Sequence, residues 1–273
     1  MGFDKIFWVE MLEKKQKNTR FIAVANQKGG VGKTTTAVNL ASGLAMLKQR
    51  VLLVDCDAQA NATSGVGVDP KGVSKNIYHA MVGDAGIEDV VTGCSQQNLF
   101  VVPANTDLVG IDLELGPMDE REIVLKALLK TLDGFDYVIM DCPPSLGLMT
   151  VNALTAADSV IIPLQCEYYA LEGLSQLVHT IRLVKKRLNP RLHIEGLVLT
   201  MYDHRTRLGY QVAREVRVHF RDLVYRTTIP RNIRLSESPS HGKPIFLYDP
   251  SSRGAESYLA FSKEFLKRNR RKK

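Results

Sequence analysis

The fold of this chain is decided by one stretch of eight residues, Lys28-Gly29-Gly30-Val31-Gly32-Lys33-Thr34-Thr35. An apolar run over 21–25 precedes it, and the composition of 36–41 is typical of a helix. A strand, a glycine-rich loop and a helix in this order form a phosphate-binding loop, in which backbone amides and the positive end of the helix dipole face an anion. We therefore expect Lys33 to reach the β- and γ-phosphates of a nucleotide and the Thr34 hydroxyl to bind Mg²⁺.

The stretch departs from the general pattern G-x-x-x-x-G-K-[ST] at one position, because the first glycine of that pattern falls at Gln27. A second lysine, Lys28, stands five residues before Lys33. The general pattern gives Lys28 no role, so this lysine needs an explanation of its own.

Alternating apolar and helical segments predict the rest of the fold. Strand-like runs recur at 21–25, 51–54, 99–102, 137–140, 159–162, 194–200 and 223–229, and helical patterns lie at 33–47, 121–132, 168–188 and 207–220. Strands that alternate with helices favour a parallel sheet, and runs that are apolar throughout indicate burial on both faces. We expect one α/β domain, doubly wound, with a mostly parallel sheet.

Three carboxylates stand just past apolar runs. Asp141 follows one run directly, and Asp55 and Asp57 follow another. Because ligands bind beyond the carboxyl ends of parallel strands, we expect Lys33, Asp57 and Asp141 to meet in one site, with Asp141 holding Mg²⁺ through water. Asp55 and Asp57 would face the same side if the strand persisted through both residues.

The glycine-rich stretch resembles the deviant Walker A loop, K-G-G-x-G-K-T-T, of the ParA/MinD/nitrogenase iron protein ATPases. Four further segments resemble the ParA, or Soj, branch: 55–64 (DCDAQANATS), 141–145 (DCPPS), 165–173 (QCEYYALEG) and 229–237 (IPRNIRLSE). The resemblance extends from about Phe21 to Phe265. Ala58 and Ala60 stand where the family pattern D-x-D-P-Q-G-N-A-T-S has Pro and Gly.

The resemblance implies an ATPase that works with Mg²⁺ and forms a homodimer when ATP is bound. Lys28 would reach across the dimer to the phosphates of the partner, Asp57 would orient the attacking water, and Asp55 would support the metal. The nucleotide would be held by Lys28, Gly29, Gly30, Val31, Gly32, Lys33, Thr34 and Thr35, with Pro230 and Asn232 on the adenine side.

The resemblance further implies binding to double-stranded DNA without sequence preference, through Arg205 and Arg234. A ParB/Spo0J-like centromere-binding protein would reset the switch, and the chain would act in chromosome or plasmid segregation on the nucleoid, in the cytoplasm. The row Arg214, Arg217 and Arg221 has helical spacing, which suits either DNA contact or an ordinary solvated helix face.

Charge is concentrated at the C-terminus. The 273 residues carry 36 basic and 29 acidic side chains, and six of the basic ones lie in the last seven positions, so the remainder is nearly neutral. We expect an N-terminal extension at 1–20, an ATPase domain at 21–266 and a basic tail at 267–273. At 45% hydrophobic residues, the chain can bury a large core. Without an apolar run near ~20 residues, we expect no membrane partner.

Two other functions are open at this stage. A MinD-like membrane-associated ATPase would need one of the apolar stripes, Phe3, Ile6 and Phe7 or Tyr258, Phe261 and Phe265, to insert into lipid rather than dock on the domain. A metal-cluster carrier would need paired cysteines. The four cysteines, Cys56, Cys94, Cys142 and Cys166, form no C-x-x-C pair, so we interpret them as small reduced side chains.

Overall fold

The computed structural model describes residues 19–167 and 170–270, without the side chain of Arg270. Within these residues, seven strands form one sheet in the order β3-β4-β2-β5-β1-β6-β7. The strands are β1 Arg20–Val24, β2 Val51–Asp55, β3 Thr92–Gly93, β4 Leu99–Val102, β5 Tyr137–Asp141, β6 Ser159–Gln165 and β7 His193–Thr200. Every neighbouring pair is parallel except β3 with β4. The predicted mostly parallel α/β fold is confirmed.

Helices connect the strands and cover both faces of the sheet. The longer ones are Lys33–Met46, Leu148–Ala156, Ala170–Arg187, Arg207–Phe220 and Arg253–Arg270. The shorter ones are Asn61–Gly65, Ile77–Val82, Ile111–Glu114, Val124–Leu129, Ile233–Glu237 and Ile245–Tyr248. Short 3₁₀ turns add Glu88–Val90, Thr106–Gly110, Arg121–Ile123, Arg221–Leu223 and Ser238–His241.

The two faces of the sheet form two cores, because alternate side chains of a strand point to opposite faces. On β2, Val51 and Leu53 pack with the helix Lys33–Met46 and the C-terminal helix, whereas Leu52 and Val54 belong to the other core. All five residues of β2 are buried. Burial on both faces explains why this strand is a continuous apolar run rather than an alternating one.

The strand register brings the predicted site together. Asp141, at the end of β5, pairs with Val24 of β1 on one side and with Asp55 of β2 on the other. The phosphate-binding loop follows β1, so the loop and both carboxylates meet at one edge of the sheet. This edge is the carboxyl end of three adjacent strands, where ligands of such folds bind.

The predicted strand at 223–229 is wrong. This segment runs beside β7 with only isolated bridges, Leu197 with Val224 and Tyr202 with Pro230. The backbone amides of Arg226 and Thr227 donate to the Glu264 carboxylate, at 2.9 Å each, so a continuous ladder does not form.

The short strand β3, Thr92–Gly93, was not predicted. Asp55 and Asp57 were expected to face the same side only if the strand continued through both residues. Strand β2 ends at Asp55, so this condition is not met.

The apolar stripe of the C-terminal helix is docked on the domain. Tyr258, Phe261 and Phe265 are at most 1% exposed, and the Phe265 ring lies 5.5 Å from that of Tyr137. The helix continues through Arg270, and Asn269 is buried. The first residues of the predicted basic tail are therefore part of a helix packed on the body. The N-terminal stripe of Phe3, Ile6 and Phe7 lies outside the described residues.

Candidate nucleotide-binding site

The loop between β1 and the helix Lys33–Met46 depends on two glycines. Gly30 has a φ of 74° and Gly32 a φ of 85°, which is left-handed backbone that other residues adopt at a cost. Gly32 is the N-cap of the helix, and its carbonyl accepts the first helical hydrogen bond, from Thr36 at 2.9 Å. The loop therefore ends where the backbone amides at the helix start face the site, an arrangement that suits an anion.

Neighbouring strands anchor this loop. The Thr200 hydroxyl, at the end of β7, donates to the Val31 carbonyl at 2.8 Å. The Asn26 side chain donates to the Pro163 carbonyl at 2.7 Å and accepts from the Lys28 amide at 3.1 Å. Sequence reasoning missed Thr200 and Asn26. In the sequence, each is only a polar residue near the end of a strand, and such residues are common. Their hydrogen-bond partners include backbone groups of distant segments, which the local sequence does not reveal.

Lys33 is buried at the centre of the site. Its Nζ donates to the Lys28 carbonyl at 3.1 Å. Burial lowers the pKa of Lys33, and the carboxylate of Asp141 opposes this effect, as do Cys142 and Asp57 more weakly. Lys33 and Asp141 thus lie close enough to interact electrostatically. A buried ammonium beside a backbone carbonyl is well placed to bind phosphate oxygens when they replace that carbonyl.

Asp141 is a fully buried carboxylate beside Thr34 and Lys33. Neither of its Oδ atoms accepts a hydrogen bond of normal geometry from any residue in the described part of the chain. Burial raises the pKa of Asp141 well above its usual value, with the charge of Asp55 adding to it, while the nearby Thr34 hydroxyl and Lys33 lower it. An unsatisfied buried carboxylate is costly, so this side chain fits a cation or an ordered water.

Asp55 is equally buried but satisfied. Its Oδ2 accepts from the Thr63 amide at 2.8 Å and the Thr63 hydroxyl at 2.7 Å, and its Oδ1 from the Asp57 amide at 3.2 Å. Burial raises the pKa of Asp55 to about 6 although these hydrogen bonds oppose the shift. Asp55 therefore fixes the turn after β2. Thr63 is a further residue that sequence reasoning missed.

Asp57 lies in that turn and is only half-buried. Its carboxylate accepts from the Gln59 amide at 3.0 Å, and its carbonyl accepts from the Ala60 amide at 2.9 Å. Ala60 has a φ of 53°, in the left-handed region that glycine favours. The backbone thus keeps a glycine-like conformation although Ala60 stands at this position.

Pro230 and Asn232 line a cavity of about 540 Å³ beside the loop. Gly30, Gly32 and Thr35 form its phosphate-loop wall. The side-chain Oδ1 of Asn232 caps the helix Ile233–Glu237 by accepting from the Leu235 amide at 3.3 Å. The cavity adjoins the loop and is large enough for a nucleoside, so the two predicted groups of nucleotide-binding residues are brought together.

The charged end of Lys28 is paired with a residue outside the loop. Its Nζ forms an ion pair with Glu167, just after β6, and the lysine side chain remains 33% exposed. Lys28 therefore contributes its carbonyl to Lys33 and offers its charged end near the surface. Glu167 is another residue that the sequence alone did not single out.

The donor set fits a magnesium ion with a nucleotide rather than a metal held by protein alone. Within 19–167 and 170–270, no group of three or more His, Cys, Asp or Glu is arranged to hold a metal. Mg²⁺ commonly takes one or two carboxylates, with water and substrate phosphates completing its shell. Asp141 and Thr34 supply the protein part of such a set. Cys56 and Cys142 are buried beside the site, and burial raises the pKa of both thiols.

The two predicted DNA-binding arginines are exposed and already paired. Arg205 makes a bidentate pair with Asp203, with its closest contact at 2.7 Å. Arg234 lies 2.9 Å from Glu237 and 3.3 Å from Asp249. Exposed ion pairs of this kind contribute little to stability and exchange readily for other anions.

Comparison with known proteins identifies the family. Residues 19–194 match the family model described as AAA domain. The chain is 59% identical over 246 residues to the sporulation initiation inhibitor protein Soj of Bacillus subtilis, covering 90% of this chain and 97% of Soj. It is 55% identical over 251 residues to the chromosome partitioning protein ParA of Myxococcus xanthus, covering 92% and 89%.

Solved structures agree with this assignment. Cobyrinic acid a,c-diamide synthase from Mycobacterium smegmatis, with bound ADP and magnesium, superposes with a TM-score of 0.82 at 38% identity, covering 93% of this chain and 97% of that one. A plasmid partition protein from Borrelia burgdorferi, bound to AMPPNP, gives 0.76 at 26% identity, covering 93% and 100%. The phosphate loop, the carboxylates at the paired strand ends and these relatives all agree, and this chain belongs to the Soj/ParA family of partitioning ATPases.

Proposed function

We propose that this protein is an ATP-dependent switch that dimerises with ATP, binds DNA without sequence preference and is reset by a partner protein. The environment of Asp141 is the observation that supports binding of ATP with Mg²⁺ most directly. Its two unpartnered carboxylate oxygens are buried next to Thr34 and Lys33, at the end of a strand paired with β1. A site built only for stability would not leave a buried carboxylate unpaired.

Each residue of the loop has a distinct role in this proposal. The amides of Gly29 to Thr34 and the Lys33 ammonium hold the phosphates, and Thr35, Pro230 and Asn232 lie on the nucleoside side. Thr34 and Asp141 would hold Mg²⁺, Asp141 through water. When bound, Mg²⁺ neutralises charge on the β- and γ-phosphates. The cavity beside the loop supports the nucleoside position.

Asp57 orients the attacking water. Its half-buried position in the turn after β2 leaves part of the carboxylate accessible, while Asp55 holds that turn through Thr63. Asp55 supports the metal indirectly, because its negative charge lies beside Asp141 and favours a cation there. We expect hydrolysis by the protein alone to be slow, because the finger-like cation is supplied by a second subunit.

Lys28 acts in the dimer. Because its charged end is partly exposed and paired with Glu167, it is available to the phosphates bound by a second subunit once it leaves Glu167. A cation supplied by a partner follows the logic of an arginine finger. ATP then joins the two subunits, and its hydrolysis separates them.

DNA binding and resetting complete the switch. Arg205 and Arg234 are exposed and exchange their carboxylate partners for DNA phosphates. Dimerisation doubles such contacts on one surface, which strengthens binding to the nucleoid. A ParB/Spo0J-like protein at the centromere accelerates hydrolysis and releases the dimer from DNA. DNA-bound dimers therefore become depleted around the chromosome or plasmid that carries this centromere. These steps place the protein in chromosome or plasmid segregation.

A MinD-like membrane function has less support. The apolar residues of the C-terminal helix that would enter lipid are buried in the core. None of the described helices has the length and apolar character needed to cross a bilayer.

The proposal is tested by measuring DNA binding with ATP, with ADP and without nucleotide, in parallel with ATP binding by calorimetry. We expect tight DNA binding only with ATP. Lys33→Ala should abolish ATP binding and, with it, DNA binding. Lys48→Ala, which removes an exposed lysine beyond the same helix, is the matched control. Retention of tight ATP binding by Lys33→Ala would show that the loop has another purpose.

A further inference from the structure

A second cluster of cations lies outside the nucleotide site. A cleft of about 610 Å³ is formed by the end of the helix Arg207–Phe220, the segment that runs beside β7, and the last turns of the C-terminal helix. Its basic lining residues are Arg217, Arg221, Arg226, Lys267 and Arg268. It shares no lining residue with the cavity next to the phosphate loop.

One acid–base pair in this cleft is structural. Arg268 donates to Glu264 at 2.7 Å and lies 4.0 Å from the centre of the Tyr225 ring. Glu264 also accepts from the Arg226 and Thr227 amides and the Thr227 hydroxyl. These contacts fix the segment beside β7 to the C-terminal helix. Glu264 and Arg268 therefore neutralise each other and leave the remaining charges of the cleft unchanged.

The remaining cations are in excess. Arg217, Arg221 and Arg226 are exposed, and none of them forms an ion pair with another described residue. With Lys267, they face a single uncommitted carboxylate in the lining, Asp222. Four positive charges against one, gathered around one cleft, attract an anion.

The same charges continue along the helix. Arg207, Arg214 and Arg217 are exposed and separated by seven and three residues, so they lie on one helix face. Arg221 lies just past the end of this helix, with a φ of 43°, so it does not continue the helical row and belongs to the cleft. At 1.5 Å per residue, Arg207 and Arg217 are about 15 Å apart along the axis. Arg205 lies just before this row. A single small anion does not reach both ends of such a row, whereas a polyanion does.

We propose that the cleft lined by Arg217, Arg221, Arg226 and Lys267 is a second binding site for the DNA phosphate backbone, connected to Arg205 by the row of arginines on the helix. This inference rests on the proposed DNA-binding function and extends it to a separate part of the surface. Tyr225, in the cleft, lies next to Leu197 within β7, whereas Pro230, in the nucleotide cavity, lies next to Tyr202 beyond the end of β7, so the two border different parts of the sheet edge.

The test measures the affinity for a short random-sequence duplex at several salt concentrations, with ATP present. Each phosphate contact contributes about 0.9 to the slope of log K against log salt. The triple variant Arg217→Gln, Arg221→Gln, Arg226→Gln should lower the slope by roughly 2–3 while ATP-dependent dimerisation is retained. Arg182→Gln removes one exposed arginine from the neighbouring helix and should change neither slope nor dimerisation.

If the triple variant does not fold, as judged by its melting temperature, Lys267→Gln alone replaces it and should lower the slope by about 0.9. A slope equal to that of the original protein in the folded variant would overturn the inference while the proposed function stood. Loss of binding to phosphatidylglycerol vesicles, with the DNA slope unchanged, would assign the cleft to lipid instead. If the original protein bound no DNA in any nucleotide state, the proposed function itself would fail.

Discussion

Asp55 and Asp141 are neighbours at the ends of adjacent parallel strands, and their carboxylates are in opposite situations. Asp55 accepts hydrogen bonds from Thr63 and Asp57, whereas Asp141 has no partner among the described residues. Both are fully buried, and burial raises the pKa of both. One carboxylate therefore supports the turn, and the other is left for a ligand.

The two carboxylates should respond differently to amide substitution. Asp55→Asn weakens the hydrogen bonds from Thr63 and should destabilise the nucleotide-free protein by about 1–3 kcal/mol, which lowers the melting temperature by roughly 5 °C. Asp141→Asn replaces a buried carboxylate that accepts no hydrogen bond of normal geometry from the described residues, so the melting temperature without nucleotide should stay the same or rise. It should lose the stabilisation by ATP with Mg²⁺. Thermal unfolding with and without ligand checks both, and equal destabilisation by the two variants would contradict the distinction.

Lys28 and Asp57 should have opposite effects on dimerisation. Lys28→Ala removes the cation offered to a second subunit, so monomers should persist with ATP. Asp57→Ala keeps that cation but loses the residue that orients water, so an ATP-bound dimer should accumulate. Size-exclusion chromatography with light scattering measures both. Glu167→Gln is the matched control, because it frees Lys28 and should keep dimerisation at or above the original level. Similar elution of all three variants with ATP would refute these roles.

The protein should bind DNA more strongly when Asp203, the acidic partner of Arg205, is neutralised. Asp203 accepts two hydrogen bonds from the Arg205 guanidinium, and this hydrogen bonding lowers the pKa of Asp203. Asp203→Asn should raise DNA affinity severalfold, whereas Arg205→Glu and Arg234→Glu should lower it and leave dimerisation intact. Because the pair is exposed, the melting temperature of Asp203→Asn should change little. Unchanged affinity in all three variants would remove Arg205 and Arg234 from the DNA-binding surface.

Glu264 should make stability sensitive to acid. Burial alone raises its pKa, but the hydrogen bonds from Arg226, Thr227 and Arg268 outweigh burial and hold the pKa of Glu264 below its ordinary value of 4.5. Its contribution is therefore present above pH 4.5 and is lost as the pH falls through the lowered pKa. Glu264→Gln should cost roughly 1–2 kcal/mol at pH 7 and less at pH 3.5.

Chemical denaturation at the two pH values measures this difference. Glu256→Gln, an exposed residue on the same helix, is the control, and its effect should be small at both pH values. A loss for Glu264→Gln that did not shrink in acid would mean that side-chain packing, rather than charge, explains its contribution.

A partner protein should be needed for rapid turnover. The subunit supplies the loop lysine, the carboxylates and a lysine for its partner, yet the proposed switch needs a release step to avoid coating DNA permanently. The cognate ParB-like protein, added with DNA, should accelerate ATP hydrolysis several-fold and release the dimer. The phosphate-release rate across a saturating titration measures this. A flat titration would favour a different downstream target.

Much of the sheet could be predicted from local sequence. The runs at 51–54 and 137–140 are apolar throughout, and the strands Val51–Asp55 and Tyr137–Asp141 form there, buried on both faces. The run at 223–229 is also rich in apolar and β-branched residues, although Arg226, Thr227 and Thr228 interrupt it. It lies next to Glu264, whose carboxylate accepts hydrogen bonds from two of its backbone amides. That competitor is 37 residues or more away in sequence, so periodicity within the run carried no sign of it.

The sequence by itself determined the phosphate loop, because its chemistry depends on adjacent residues: glycines with positive φ, then Lys33 and Thr34 at the start of a helix. It also determined most of the parallel strands, but not that the segment at 223–229 stays outside the sheet. Only the tertiary structure decided which carboxylate is satisfied and which is free, because two of the hydrogen bonds of Asp55 come from Thr63, and the packing of the helix Asn61–Gly65 places Thr63 beside the end of β2. Likewise, only packing decided that Tyr258, Phe261 and Phe265 face the core rather than a membrane. An amphipathic stripe has the same spacing in both situations, and only the surface that covers it distinguishes them.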